Sequence, residues 1–195
     1  LVVLKNCRLA ADSMSEKLRW RDRLPALHPS PALRDWLREP ASLTARLLRR
    51  GRFRLQVLRQ RLHHANADEA GVLHLQPRTR CRVREVLLHC NEVPVVFAHT
   101  VLPIRPRGVL GRWLAGLGGR SLGSLLFAHP GFVRGRLAYA RIDHRHPLYA
   151  RAASALGMSP PSFFARRCAH DFGRQRVLVT EVFAPAVTSL RLTAP

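Results

Sequence analysis

Lysine is almost missing from this 195-residue chain: Lys5 and Lys17 stand against 31 arginines. Acidic residues are also scarce, 12 Asp and Glu in all, which leaves a formal net charge of +21. No apolar run approaches the ~18 residues that a membrane-spanning helix needs, and the first residues lack the apolar stretch of a signal peptide. Cysteine is limited to Cys7, Cys81, Cys90 and Cys168, without C-x-x-C spacing. Cys81 and Cys90 lie an odd number of positions apart in one strand pattern, so they point to opposite faces and do not bridge. A reduced, cytoplasmic chain is therefore expected. His63-His64, and His144 with His146, sit in polar stretches without a Cys or carboxylate framework. No metal site is expected from them.

What is present is an ordinary globular balance, 47% hydrophobic and 23% charged. Wholesale disorder is excluded, and the length suits one domain with a sizeable core. The arginines are spread along the whole chain. Two readings are open for them: recognition of carboxylate or phosphate by a planar fork, or a solvated surface shaped by GC-rich codon usage. No zinc-finger spacing, no RNP-type aromatic strand and no helix-turn-helix is present. Specific nucleic-acid binding is not expected, although the charge permits salt-sensitive non-specific contact.

Residues 1–29 are basic and poorly patterned, and read as an N-terminal extension, with Met14 as an alternative start. Residues 30–190 read as the domain. Ser30-Pro31 is an N-cap followed by an N1 proline, opening a short helix through Leu33, Trp36 and Leu37. A second helix follows Pro40, capped by Ser42, with Leu43, Leu47 and Leu48 on one face and Gly51 as its stop. Arg52 to Val57 alternates as a strand, and 63–71 reads as a loop. Cys81 to Cys90, a turn at Asn91-Glu92, and Val93 to Leu102 predict a hairpin. Residues 108–127 have a glycine-punctuated helical pattern. Phe132 to Ile142 is a fourth strand, Pro147 to Gly157 a short helix, and Arg174 to Ala184 the last strand. The fold class is α+β: one domain, an antiparallel β-sheet with helical excursions covering an internal site.

Two charges are out of place on apolar strand faces. Arg84 shares a face with Val86 and Leu88, and Glu181 shares one with Val177, Val179 and Phe183. A buried charge is costly unless paired or used. Arg84 and Glu181 either pair with each other, lie on a partly solvated face, or form a site. The stretch Gly116-Leu117-Gly118-Gly119-Arg120-Ser121-Leu122-Gly123 is either a hinge between short helices or a nest of N–H groups that binds an anion.

Several segments in order resemble one family. Arg84-Glu85-Val86-Leu87-Leu88, Pro94 and Thr100-Val101-Leu102-Pro103 resemble the central hairpin of the chorismate pyruvate-lyases. Leu122-Gly123, with Leu126-Phe127, resembles that family's next segment. Ala165-Arg166-Arg167 and Leu178 to Pro185 resemble its C-terminal signature. The resemblance runs from about Pro31 to Pro185. It implies the splitting of chorismate into 4-hydroxybenzoate and pyruvate, a step toward ubiquinone, with no metal or organic cofactor. It also implies an antiparallel sheet whose helical flaps close over an internal site.

By the same resemblance Arg84 holds the ring carboxylate, Glu181 meets the ring hydroxyl, and Leu43 and Leu122 line the site. Leu43 stands where the family often has methionine, Ser121 where it often has proline, and His99 where it usually has arginine. Glu181 on an apolar face is expected to carry a raised pKa and to donate or shuttle a proton. The partners implied are a small-molecule substrate and product, and the chain is expected to be a monomer. The alternative is a non-catalytic effector-binding domain of the same fold, as in bacterial transcription regulators.

Overall fold

A computed structural model describes residues 20–24, 29–76, 78–102, 104, 105, 108–123, 126 and 129–192. Most of the expected extension 1–29, together with Cys7 and Met14, lies outside these residues, as do Pro103, Ser124, Leu125 and Phe127.

The chain opens with two short helices, α1 (Pro31–Leu37) and α2 (Leu43–Leu48). Ser30 Oγ accepts from the Leu33 N–H at 3.2 Å, and Pro31 occupies the first helical turn, where its missing N–H costs nothing. Ser42 caps α2 in the same way through Ala45. Leu33, Trp36, Leu37, Leu43 and Leu47 are buried, but Leu48 is 57% exposed rather than on the covered face. The two helices are bolted together by Arg46, which pairs with Asp35 and Glu39 and stacks 4.2 Å above the Trp36 ring.

Strand β1 (Phe53–His64) follows and is twice as long as the alternation over 52–57 predicts. It leads into a helix, α3 (Ala67–Leu73), where a loop over 63–71 was expected. The Glu69 carboxylate accepts from the Asn66 backbone N–H at 2.8 Å, an N-terminal staple that the polar composition concealed. The hairpin β2 (Arg80–Cys90) and β3 (Val93–Leu102) turns at Asn91 and Glu92. Both residues have positive φ, as a two-residue turn matched to strand twist requires. Gly51 is compulsory beside it: a Cβ there would lie 2.2 Å from Asn91 Oδ1.

Helix α4 (Gly108–Ala115) begins the glycine-punctuated region. Then come β4 (Val133–Ile142), α5 (Tyr149–Leu156), β5 (Phe163–Phe172), β6 (Gln175–Phe183) and a 3₁₀ turn over Pro185–Ser189. Strand β5 is absent from the sequence reading. Its inward-facing row carries Arg166 and His170, both buried, so apolar and polar positions do not alternate.

All six strands form one antiparallel sheet in the order β1-β2-β3-β6-β5-β4. Both faces are covered. On one, α1, α2 and the 3₁₀ turn pack on Val86, Leu88, Val96, Ala98 and Phe183. Beyond them Leu110, Leu117, Leu122 and Leu126 pack on Leu102 and Val177. On the other face α3 covers Val83, Val101 and Leu178, and α5 covers Leu87, Phe97, Phe163 and Val182. At the β4 edge, Arg21 pairs by backbone with Tyr139, while Trp20 donates to Asp68 at 2.8 Å.

Candidate active site

Strand register alone places the site. On the α1–α2 face, Arg84, Thr100 and Val179 form one row across β2, β3 and β6, and Val86, Ala98 and Glu181 form the next. Arg84 and Glu181 thus stand at opposite corners of a small grid. Two strand spacings and two residues of rise put their Cα atoms roughly 12 Å apart. Between them lie only Val86, Ala98, Thr100 and Val179, and the small Ala98 leaves room above the sheet.

That room is a cavity of about 50 Å³. Its floor is the grid together with Leu55 and Leu88, and its roof is Leu43 and Thr44 of α2 with Ser121, Leu122 and Gly123. Every site residue expected from the sequence, Arg84, Glu181, Leu43 and Leu122, therefore meets in one place.

Arg84 is 2% exposed. Its Nη2 donates to the carbonyls of Gly118 and Arg120, at 2.8 and 3.1 Å. The glycine-rich loop thus offers Arg84 its carbonyl oxygens, and not the converging N–H groups of one of its two sequence readings; the positive φ of Gly118 suits that turn. Nε and Nη1 are buried and find no acceptor among the described residues. Burial lowers the guanidinium's pKa from its ordinary value, yet arginine stays charged at any physiological pH. A buried cation with unused donors at two of its three nitrogens is a receptor for an anion such as a carboxylate.

Glu181 does not pair with Arg84. Its Oε2 accepts from Arg166 Nε at 2.5 Å, on the neighbouring strand β5 and directly opposite in register. The carboxylate read from the sequence as a charge on an apolar face is one half of an ion pair with Arg166. Sequence periodicity could not show this, because the partner lies on the strand whose pattern is obscured.

Two hydroxyls close the roof. Thr44 Oγ1 and Ser121 Oγ are 2.7 Å apart and join α2 to the glycine-rich loop. Ser121, found where the resemblance often has proline, thereby gains a contact that proline cannot make.

The odd-numbered positions of β2 and β3 face away from the cavity. His99 is one of them, so it does not line the cavity. It lies buried between Glu69 and Glu85, with each ring nitrogen 3.0 Å from a carboxylate oxygen, and Arg151 holds Glu85 at 2.7 Å. Burial alone would lower its pKa; the hydrogen bonds from Glu69 and Glu85 outweigh burial and hold it raised. Burial pushes both carboxylates up, but the bond to His99 leaves each below its ordinary value. Cys81, Cys90 and Cys168 are buried free thiols.

Comparison with known proteins agrees with this geometry. Residues 14–190 match the family model described as "Chorismate lyase". A protein of Dechloromonas aromatica named "Probable chorismate pyruvate-lyase" is 52% identical over 177 residues, 90% of this chain and 99% of its own. One of the same name from Nitrosomonas eutropha is 42% identical over 174 residues, 85% of this chain and 96% of its own. Among solved structures, the ligand-binding domain of a GntR-family transcriptional regulator from Bordetella bronchiseptica is similar at a TM-score of 0.51. It has 18% identity and covers 73% of this chain and 92% of its own. The gene product SA0254 of Staphylococcus aureus reaches 0.53 at 11% identity, covering 80% and 95%. These two likenesses establish the sheet and its coverings only.

Proposed function

The chain belongs to the chorismate lyase family, and on that footing we propose that the cavity between Arg84 and Glu181 is where it splits chorismate into 4-hydroxybenzoate and pyruvate. The observation that carries this reading is the free Nε and Nη1 donors of Arg84, buried in the wall of the cavity. These free donors of the buried cation receive the ring carboxylate, which both substrate and product carry. At the opposite corner, Glu181 meets the ring hydroxyl, beside the carbon that carries the enolpyruvyl ether. Leu43 and Leu122 press on the ring from above, and Val86, Ala98 and Val179 from below.

The reaction balances as it stands, since the substrate's atoms divide between the two products with none added or removed. No electron pair enters from outside, so the chemistry requires no redox cofactor. Leaving of the enolpyruvyl group makes an aromatic ring, and that gain supplies much of the driving force. The protein needs to orient the dianion, keep water out and manage one proton between the ring carbon and the departing group. Glu181, held by Arg166, is the group placed to manage it. A cofactor-free monomer acting in the cytoplasm completes the reading.

The test is incubation of the pure protein with chorismate, following 4-hydroxybenzoate by absorbance and pyruvate by a coupled assay. Equimolar formation of both is expected. Folded protein that binds 4-hydroxybenzoate yet forms neither product from chorismate would overturn the lyase reading in favour of a small-molecule sensor.

A further inference from the structure

Arg166 is among the largest fully buried side chains in the molecule, yet it does not line the cavity. Its guanidinium divides between two tasks. Nε holds Glu181 Oε2 at 2.5 Å. Nη1 turns away from the site toward the end of α1, 2.8 Å from the Glu39 carbonyl and 3.4 Å from those of Trp36 and Leu37. Its carbon lies 5.7 Å from the Phe183 ring centroid, which fixes the plane of the fork.

The last carbonyls of a helix have no partner within it, and a cation there is favoured electrostatically. Arg166 therefore closes α1 from across the sheet. Since Arg46 bolts α1 to α2, and α2 carries Leu43 and Thr44 over the cavity, the seating of the whole roof element rests partly on this side chain.

We propose that Arg166 is a positioning residue that couples seating of the α1–α2 roof to the orientation of the Glu181 carboxylate. With α1 docked, the carbonyls of Trp36, Leu37 and Glu39 pin Nη1, and the rigid planar fork then fixes where Nε presents its proton to Glu181. With α1 lifted, Nη1 loses its acceptors and the fork is free to rotate, so the carboxylate loses its fixed orientation. Glu181 is in working order only when the cavity is covered. An ammonium in place of the guanidinium is a point charge and cannot hold both directions at once.

This inference rests on the lyase reading for its kinetic half, and on the fold alone for its structural half. The experiment compares wild type, Arg166→Lys, Arg166→Met, Glu181→Gln and the Arg166→Met/Glu181→Gln double variant. Circular dichroism checks folding, and kcat, KM and hydrogen exchange over residues 31–48 are measured for each. Arg166→Met is expected to lose ~10²-fold in kcat with KM within about threefold, as fits a group acting through a catalytic acid or base. In the Glu181→Gln background the same change is expected to cost less than about threefold, because there is no longer a carboxylate to orient.

Arg166→Lys, which keeps the charge, is the variant to read if Arg166→Met does not fold. It is expected to lose roughly tenfold in kcat. Exchange over 31–48 is expected to rise about tenfold or more in either variant, whether or not the wild type turns over chorismate. A folded Arg166→Lys or Arg166→Met with wild-type kcat, full multiplicative loss in the double variant, or unchanged exchange over 31–48 would each overturn the coupling. A wild type that forms no product while exchange responds as expected would fault the lyase reading and leave the roof contact standing.

Discussion

Arg84 is strained in the energetic sense: it is a buried cation that folding satisfies at only one of its three nitrogens. Replacing it with an apolar side chain of similar length removes that cost. Arg84→Met is therefore expected to have a melting temperature equal to or above wild type, within about 1 kcal/mol of stability or better, as thermal denaturation reads. Glu181 has the opposite balance. Glu181→Gln keeps the shape but leaves Arg166 buried without its counter-charge, so Tm is expected to fall. The variant is also expected to lose ~10²-fold in kcat with a small change in KM. Near-normal turnover by folded Glu181→Gln would remove it from the chemistry. Glu181 was legible in the sequence because a single charge interrupts an otherwise apolar alternating row, and Arg84 because it shares a face with Val86 and Leu88. Arg166 was not, because its row also carries His170, and two polar residues in five positions erase the period that would mark a buried strand.

At the scale of elements, the roof consists of two pieces, α1–α2 and the glycine-rich loop, and the Thr44–Ser121 contact is the hydrogen bond described between their side chains. An exchange of one such bond for solvation is worth about 1 kcal/mol. Ser121→Ala is expected to speed release of 4-hydroxybenzoate roughly fivefold in stopped-flow displacement while leaving Tm nearly unchanged. Unaltered release would show that the two pieces open independently of this contact. The hairpin of β2 and β3, the capped helices α1 and α2, and strands β4 and β6 follow from capping residues, turn residues and strict alternation, and these are local signals. Helix α3 was hidden for the reverse reason. Its stretch is rich in turn formers, and what makes it helical is the bond from Asn66 to Glu69 and packing of Ala70 and Leu73 on the sheet. The carbonyl-first orientation of the glycine-rich loop is likewise set by Arg84 on a strand more than thirty residues away.

Over the whole molecule, the +21 charge sorts into a few arginines with structural work and many in solvent. Arg46, Arg84 and Arg166 are buried and each is bound to named acceptors. The sheet also sorts chemistry by face: Arg84 and Thr100 look into the cavity, while their neighbours Glu85 and His99 look into a buried charged cluster behind it.

That cluster makes stability depend on pH in a defined direction. Because His99 is raised in the folded state, the stability it contributes is full below its unfolded value and is lost as pH rises through the folded one. Because Glu69 and Glu85 are lowered, theirs is present above the ordinary carboxylate range and lost as pH falls through the folded values. Tm is expected to be highest between those limits, at mildly acidic pH, and to decline on the alkaline side. In His99→Gln the alkaline decline is expected to flatten, and Tm to be lower throughout. An alkaline decline identical in the two proteins would place its origin elsewhere.

The central claim is that the unused donors of Arg84 receive the ring carboxylate, and calorimetric titration with 4-hydroxybenzoate tests it most directly. A charge-assisted hydrogen bond in a buried site is worth about 1.5–3 kcal/mol, so Arg84→Met is expected to bind ~10- to 10²-fold more weakly than wild type. Equal affinity in the two folded proteins would contradict the account.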